Sequence, residues 1–184
     1  MTITETNNTP VGTYAPDFEL PGIDGQVHHL GRYLEKFRAV GVILMCNHCP
    51  YVRLYVERLK NIQAEFGSQS FTLIGMNGSD ATVETSESFE NMKAFARFVN
   101  LNFPYLWDST QEVTRSLGAT QTPMAFLIDA YGVVRYKGQI DDNPQEPEAV
   151  QQHYLKGAIA CLMQGQEILP KETEPVGTSL ILRN

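Results

Sequence analysis

Residues 39 to 45, Ala-Val-Gly-Val-Ile-Leu-Met, hold no polar side chain, and Cys46 follows at once. A strand with one wet face alternates apolar and polar residues, so an unbroken apolar run of this length fits a strand covered on both faces. Such a strand needs a layer above and a layer below it. The run therefore selects an α/β architecture with a parallel or mixed sheet.

The segments on either side agree. Val52, Val56, Leu59, Ile62 and Phe66 recur at steps of three and four and Gly67 follows, which predicts an amphipathic helix from about 50 to 66 with Pro50 tolerated in its first turn. The pattern returns to a strand at residues 71 to 77, then to a second helix with Phe89, Met92, Ala96 and Val99 on one face. A short third helix fits 110 to 117, with Ser109 and Glu112 at capping-box spacing and Gly118 as its stop. Residues 123 to 140 read as two antiparallel strands joined across Asp129-Ala130-Tyr131-Gly132. A last helix is expected from about 147 to 164, with Val150, Tyr154, Ala158 and Cys161 on one stripe. Upstream, residues 18 to 30 flank Asp24-Gly25, a hairpin signal. The expected fold is one α/β domain over 1–184: a mixed central sheet flanked by helices, an N-terminal β-hairpin, a flexible start over 1–13 and a C-terminal extension over 170–184 that adds an edge strand.

Charge narrows the function. A formal net charge of −7 argues against nucleic acid or an anionic membrane as partner, since both demand a basic surface. No apolar stretch approaches the ~20 residues that span a bilayer. The first 14 residues are polar, with neither a basic start nor an apolar segment of signal-peptide length, so the expected location is cytoplasmic. Three cysteines in such a compartment do not make a structural disulfide framework.

Cys46-Asn47-His48-Cys49 then asks for chemistry, and three readings compete: a redox couple, part of a metal site with His48, or two small apolar side chains. Zinc wants four ligands in paired clusters, and no second Cys-x-x-Cys or suitably spaced His pair accompanies this one. The strand-to-helix junction favours the redox couple. Cys46 is expected at about the N-cap, where free N–H groups and the helix dipole stabilise a thiolate; Cys49, a turn further in and more easily buried, would resolve the mixed disulfide. His48 would favour the thiolate further and raise the reduction potential. Cys161, on an apolar stripe, reads as packing. His28 and His29 alternate along a strand and receive no role. Asn77, Asp80, Asp141, Asp142 and Asn143 follow predicted strands, where turn chemistry accounts for them. Glu84, Glu87 and Glu90 read as a solvated helix entrance.

Four stretches carry a family resemblance: residues 15 to 25 (Ala-Pro-Asp-Phe-Glu-Leu-Pro-Gly-Ile-Asp-Gly), Cys46 to Pro50, Thr122-Pro123, and 126 to 141. Together they resemble the thioredoxin-like superfamily, in the branch shared by peroxiredoxins and bacterial thiol-disulfide oxidoreductases. The resemblance implies a thioredoxin-like fold and a cis proline at Thr122-Pro123 beside the active-site disulfide. It also implies thiol-disulfide exchange on protein disulfides through Cys46 and Cys49, with Thr122, Pro123 and Asn47 against the substrate. No metal or organic cofactor is expected; a reducing partner, which the sequence does not name, must regenerate the dithiol. Three departures matter. Met45 stands where many relatives have tryptophan, and Val40 where thioredoxins have a buried aspartate. The run before Cys46 lacks the proline and threonine or serine that hold peroxide in peroxiredoxins. A thiol peroxidase with an antioxidant role, using Cys46, and a non-catalytic redox sensor are the alternatives.

Overall fold

The computed structural model describes residues 8–184. Its central sheet has five strands in the order β5-β4-β3-β7-β8. The apolar run is the middle one, β3 (Ala39–Leu44), and all six of its residues are buried. It lies parallel to β4 (Phe71–Asn77) on one edge and antiparallel to β7 (Met124–Asp129) on the other. β5 (Tyr105–Trp107) extends the parallel side, and β8 (Val134–Gly138) closes the antiparallel side. The mixed sheet expected from the sequence is thus present.

Period-two geometry sends alternate β3 side chains to two separate cores. Ala39 and Ile43 join one core with Val52, Val56, Leu59 and Phe66 of α2 (Pro50–Phe66), Met92 and Phe95 of α3 (Phe89–Phe98), and Leu155 and Ile159 of α5 (Tyr154–Met163). Val40, Val42 and Leu44 join the other with Leu30 of α1 (Leu30–Lys36), Val113 and Leu117 of α4 (Glu112–Leu117), and Phe18 and Leu20 of the N-terminal hairpin. The run is apolar throughout because both of its faces are dry. That hairpin pairs β1 (Glu19–Pro21) with β2 (Val27–His29), and Gly25 turns at a φ of 77°.

Five details differ from the sequence reading. The helix expected from about 147 to 164 is a single 3-10 turn, Pro147–Ala149, followed by extended chain before α5. Asp142 accepts the Gln151 amide there, and its own amide donates to Gln152, which holds residues 151–152 out of a helix. No capping box forms before α4: Gln111 is its N-cap, at a φ of 64°. Helix α1 and strand β5 were not expected. Residues 1–7 of the supposed flexible start lie outside the described residues, whereas residues 8–13 are held against β8: Gly12 donates to the Val134 carbonyl, and Lys137 Nζ reaches Asn8 and Thr9. The C-terminal extension supplies β9 (Thr178–Ser179), which pairs antiparallel with β6 (Gln121–Thr122), outside the main sheet.

Leu59 is fully buried between α2 and the sheet. Leu59→Ala is expected to lower the free energy of unfolding by about 2–5 kcal/mol through lost burial and the cavity left behind. Urea denaturation followed by far-ultraviolet circular dichroism measures it, and a loss below about 1 kcal/mol would contradict this packing.

Candidate active site

Register builds the site. Leu44 at the end of β3 pairs with Met76 of β4 and with Met124 of β7. Because β7 runs antiparallel, the residues just before it, Thr122 and Pro123, arrive at the end where β3 hands over to Cys46. The Met45 amide extends the ladder by one bond to the Met76 carbonyl, at 2.9 Å. Sequence positions 76 residues apart thereby meet: the Thr122 hydroxyl lies 3.5 Å from Cys46 Sγ and 3.0 Å from Cys49 Sγ.

Cys46 and Cys49 are joined as a disulfide, with Cα atoms 5.6 Å apart. The Thr122–Pro123 peptide is cis. Helix α2 begins at Pro50 with Cys49 as its N-cap. The expected placement is therefore shifted by a turn: Cys49, not Cys46, sits at the helix start, and Cys46 lies in the bend before it. Burial is also reversed. Cys46 is 0% exposed, while Cys49 is half-buried and lines a cleft of about 180 Å³. His48 is exposed on the rim of this cleft, with its backbone rather than its ring engaged in the hydrogen bonding of the loop.

Asn47, expected against the substrate, faces inward. Its Nδ2 donates to the Ser86 carbonyl, its Oδ1 accepts from the Tyr105 hydroxyl at 2.7 Å, and its carbonyl accepts from Arg53. Next to it lies a residue the sequence reading placed in solvent. Glu87 is 3% exposed, and its carboxylate accepts the Asn47 amide at 2.7 Å, the His48 amide at 2.9 Å and Asn77 Nδ2 at 2.9 Å. Asn77 Nδ2 also reaches the Tyr105 hydroxyl, at 3.2 Å. Burial, and then the Glu87 charge, push the Tyr105 phenol well above its usual range. No local signal separates Glu87 from its neighbours Glu84 and Glu90, because its loop partners Asn47 and His48 lie 40 and 39 positions away and Asn77, ten away, belongs to the preceding strand. Asp141, another strand-end residue, is likewise built in: it takes Arg58 at 2.8 Å and the Tyr55 hydroxyl at 2.9 Å.

Thr178, Ser179, Leu180 and Ile181 form one wall of the cleft opposite Cys49. The pairing of β9 with β6 therefore covers the backbone edge beside Thr122 and Pro123 that the resemblance assigns to substrate. At Gly177 a Cβ would lie 2.7 Å from the Thr122 carbonyl carbon, so only glycine allows this approach. Beyond β9, the Leu180 amide donates to Thr120, Gln111 spans Gly78 and the Ile181 carbonyl, and the Arg183 guanidinium pairs with Asp80 at 3.0 Å.

Among the described residues, no group of three or more His, Cys, Asp or Glu is arranged to hold a metal ion. No helix there is long and apolar enough to cross a membrane.

The sequence profile of the AhpC/TSA family matches residues 11–137, more than half of the chain. The chain belongs to the AhpC/TSA family. It is 28% identical to the thiol-disulfide oxidoreductase ResA of Geobacillus thermodenitrificans over 155 residues, 82% of this chain and 79% of that protein. It is also 28% identical to the thiol:disulfide interchange protein DsbE of Escherichia coli over 140 residues, 73% and 68% of the two chains. Among solved structures, an uncharacterized conserved protein from Geobacillus kaustophilus superposes with a TM-score of 0.88 at 30% identity, covering 96% of this chain and 94% of that one. The thioredoxin-like fold expected from the sequence is the fold of this AhpC/TSA member.

The Arg183 hydrogen bond, followed by those from Thr82, lowers the Asp80 carboxyl from 3.8 to about 2. A carboxyl depressed on folding contributes above its unfolded value, and the contribution is lost as pH falls through the folded one. Tail anchoring by Arg183 is therefore expected to be complete above about pH 4 and to fail toward pH 2. Hydrogen exchange at the Leu180 and Arg183 amides measures it; protection that does not change as pH falls from above about 4 to about 2 would contradict the anchor.

Proposed function

We propose that this protein is a thiol-disulfide oxidoreductase that exchanges protein disulfides through Cys46 and Cys49. The observation that carries the reading is the bonded pair at the start of α2, with the Thr122 hydroxyl within 3.5 Å of both sulfurs and a cis Thr122–Pro123 bond beside it. The names of the ResA and DsbE relatives support it. In the reduced protein, the Cys46 thiolate attacks a substrate disulfide and expels one substrate thiolate. Cys49 then attacks Cys46 in the mixed disulfide, releases the second substrate thiol and closes the pair. Two electrons pass to the substrate, and a thiol or dithiol reductant restores the enzyme. Attack by Cys46, buried in the disulfide form, requires its sulfur to turn toward the cleft when the bond opens.

Single replacements test both the chemistry and the order of the thiols. Cys46→Ser is expected to abolish disulfide reduction, and Cys49→Ser to accumulate a mixed disulfide that survives denaturing electrophoresis without reductant. Accumulation in Cys46→Ser instead would reverse the two roles, and turnover surviving Cys46→Ser would remove the mechanism. In the same assay hydrogen peroxide is expected to be a poorer oxidant of the dithiol than a protein disulfide; the opposite order would favour the antioxidant, peroxidase alternative.

A cytoplasmic location belongs to the same proposal and sets the net flow toward reduction of substrates. Fractionation of the source cells measures it, and recovery outside the cytoplasm would reverse the expected direction of electron flow.

A further inference from the structure

The expected chemistry gives Glu87 nothing to do, yet no carboxylate lies closer to the reactive loop in its hydrogen bonding. It projects from the 3-10 turn Thr85–Glu87, between β4 and α3, and reaches the loop of Cys46 to Cys49 across the end of the sheet. We propose that Glu87 is a positioning residue of the redox pair: its buried carboxylate holds the loop by the amides of Asn47 and His48 and sets an anion on the cleft that Cys49 lines, which disfavours the thiolate and so favours the disulfide. This deepens the function proposed above and rests on it only in requiring that the pair open and close.

Two physical effects act in the same direction. A carboxylate at 3% exposure must be partnered, and three N–H donors at 2.7, 2.9 and 2.9 Å satisfy it. Two of those donors are amides of the very loop whose N–H groups were expected to serve the Cys46 thiolate. They are already committed to another anion. The second effect is direct: Glu87 lines the same cleft as Cys49, so a thiolate formed there faces a like charge, which holds the thiol protonated.

The other charged and titratable groups around the loop are engaged away from the sulfurs. Asp80 is matched by Arg183, Glu84 is bonded to the Ser86 hydroxyl, and the Tyr105 phenol is bound to Asn47. Arg53 bonds the Asn47 carbonyl and lies over the Phe95 ring, and His48 is exposed at the rim. None of these donates to the sulfurs. Opening the disulfide consumes two electrons and two protons, which two glutathione thiols supply while forming one glutathione disulfide. The position of that equilibrium depends on how far the reduced form is stabilised as thiolate. The structure therefore assigns the pair a lower reduction potential than the helix start and His48 alone imply.

Glu87→Gln tests the assignment, since glutamine keeps the shape, removes the charge and leaves one acceptor oxygen. Two readouts apply to the variant: thiolate absorbance against pH, and the fraction of dithiol in graded glutathione buffers. The expected result is an acid dissociation constant of the reactive thiol raised about tenfold. The equilibrium should shift about tenfold toward the dithiol, or ~30 mV toward a more oxidising couple. Unchanged values for both would overturn the proposal. Should the variant fail to fold, the wild-type protein still decides: the Glu87 carboxyl-carbon resonance is expected to show an inflection at the pH where the thiol ionises, present in the reduced form and absent in the disulfide form. A flat response in the reduced form would overturn the proposal as well. Neither readout needs turnover, so absence of disulfide exchange would count against the proposed function alone.

Discussion

Hydrogen bonding along both edges of β3 is the constraint on which the rest of this molecule depends. One edge fixes where β4 ends and the other fixes where β7 begins, and both meet the chain at Leu44. Because one partner is parallel and the other antiparallel, a strand end and a strand start are delivered to the same place. Cys46, Asn77 and Thr122 converge there without any of them being near another in sequence. A one-residue slip on either edge would turn the slipped strand's side chains to the wrong core, and on the β7 edge it would also displace the threonine hydroxyl from the sulfurs. The dryness of both cores thus fixes the geometry of the redox pair.

Backbone amides are the scarce resource at this junction. The bend from β3 into α2 exposes N–H groups that the helix cannot use, and three kinds of acceptor compete for them. Glu87 holds two, while the Met45 amide is drawn into the sheet. A thiolate can claim only what is left. The chemistry of a Cys-x-x-Cys pair is in this sense decided by how the surrounding fold has already spent its donors, as much as by the residues between the two cysteines.

Periodicity made some of this legible and long-range pairing hid the rest. The strands 39–44 and 71–77 and the helix 50–66 could be read with close boundaries, because a dry strand and an amphipathic helix each impose a repeat on the side chains. The cysteines and Thr122-Pro123 were legible as types of residue at a junction and before a hairpin. The three-residue β5 is too short to carry a repeat, and Val150 and Tyr154 mimic a helical stripe across a segment that Asp142 keeps extended. Glu87 looked like its solvated neighbours, and Asn47 like a residue facing substrate, since only tertiary contacts distinguish them. The reversal of burial between Cys46 and Cys49 follows from one turn of helix: beginning α2 at Pro50 leaves Cys46 beneath the loop and brings Cys49 to its edge.

Cys161 packs against the core from α5 and is the single free cysteine of the fold. Because it is not joined in the pair, it gives each molecule an internal standard for sulfur chemistry. The chain has three cysteines, two of them joined, so the oxidised protein carries one thiol and the reduced protein three. Oxidation state is therefore written into the molecule as a ratio of whole numbers, with Cys161 as the unit against which the opening of the other two is counted.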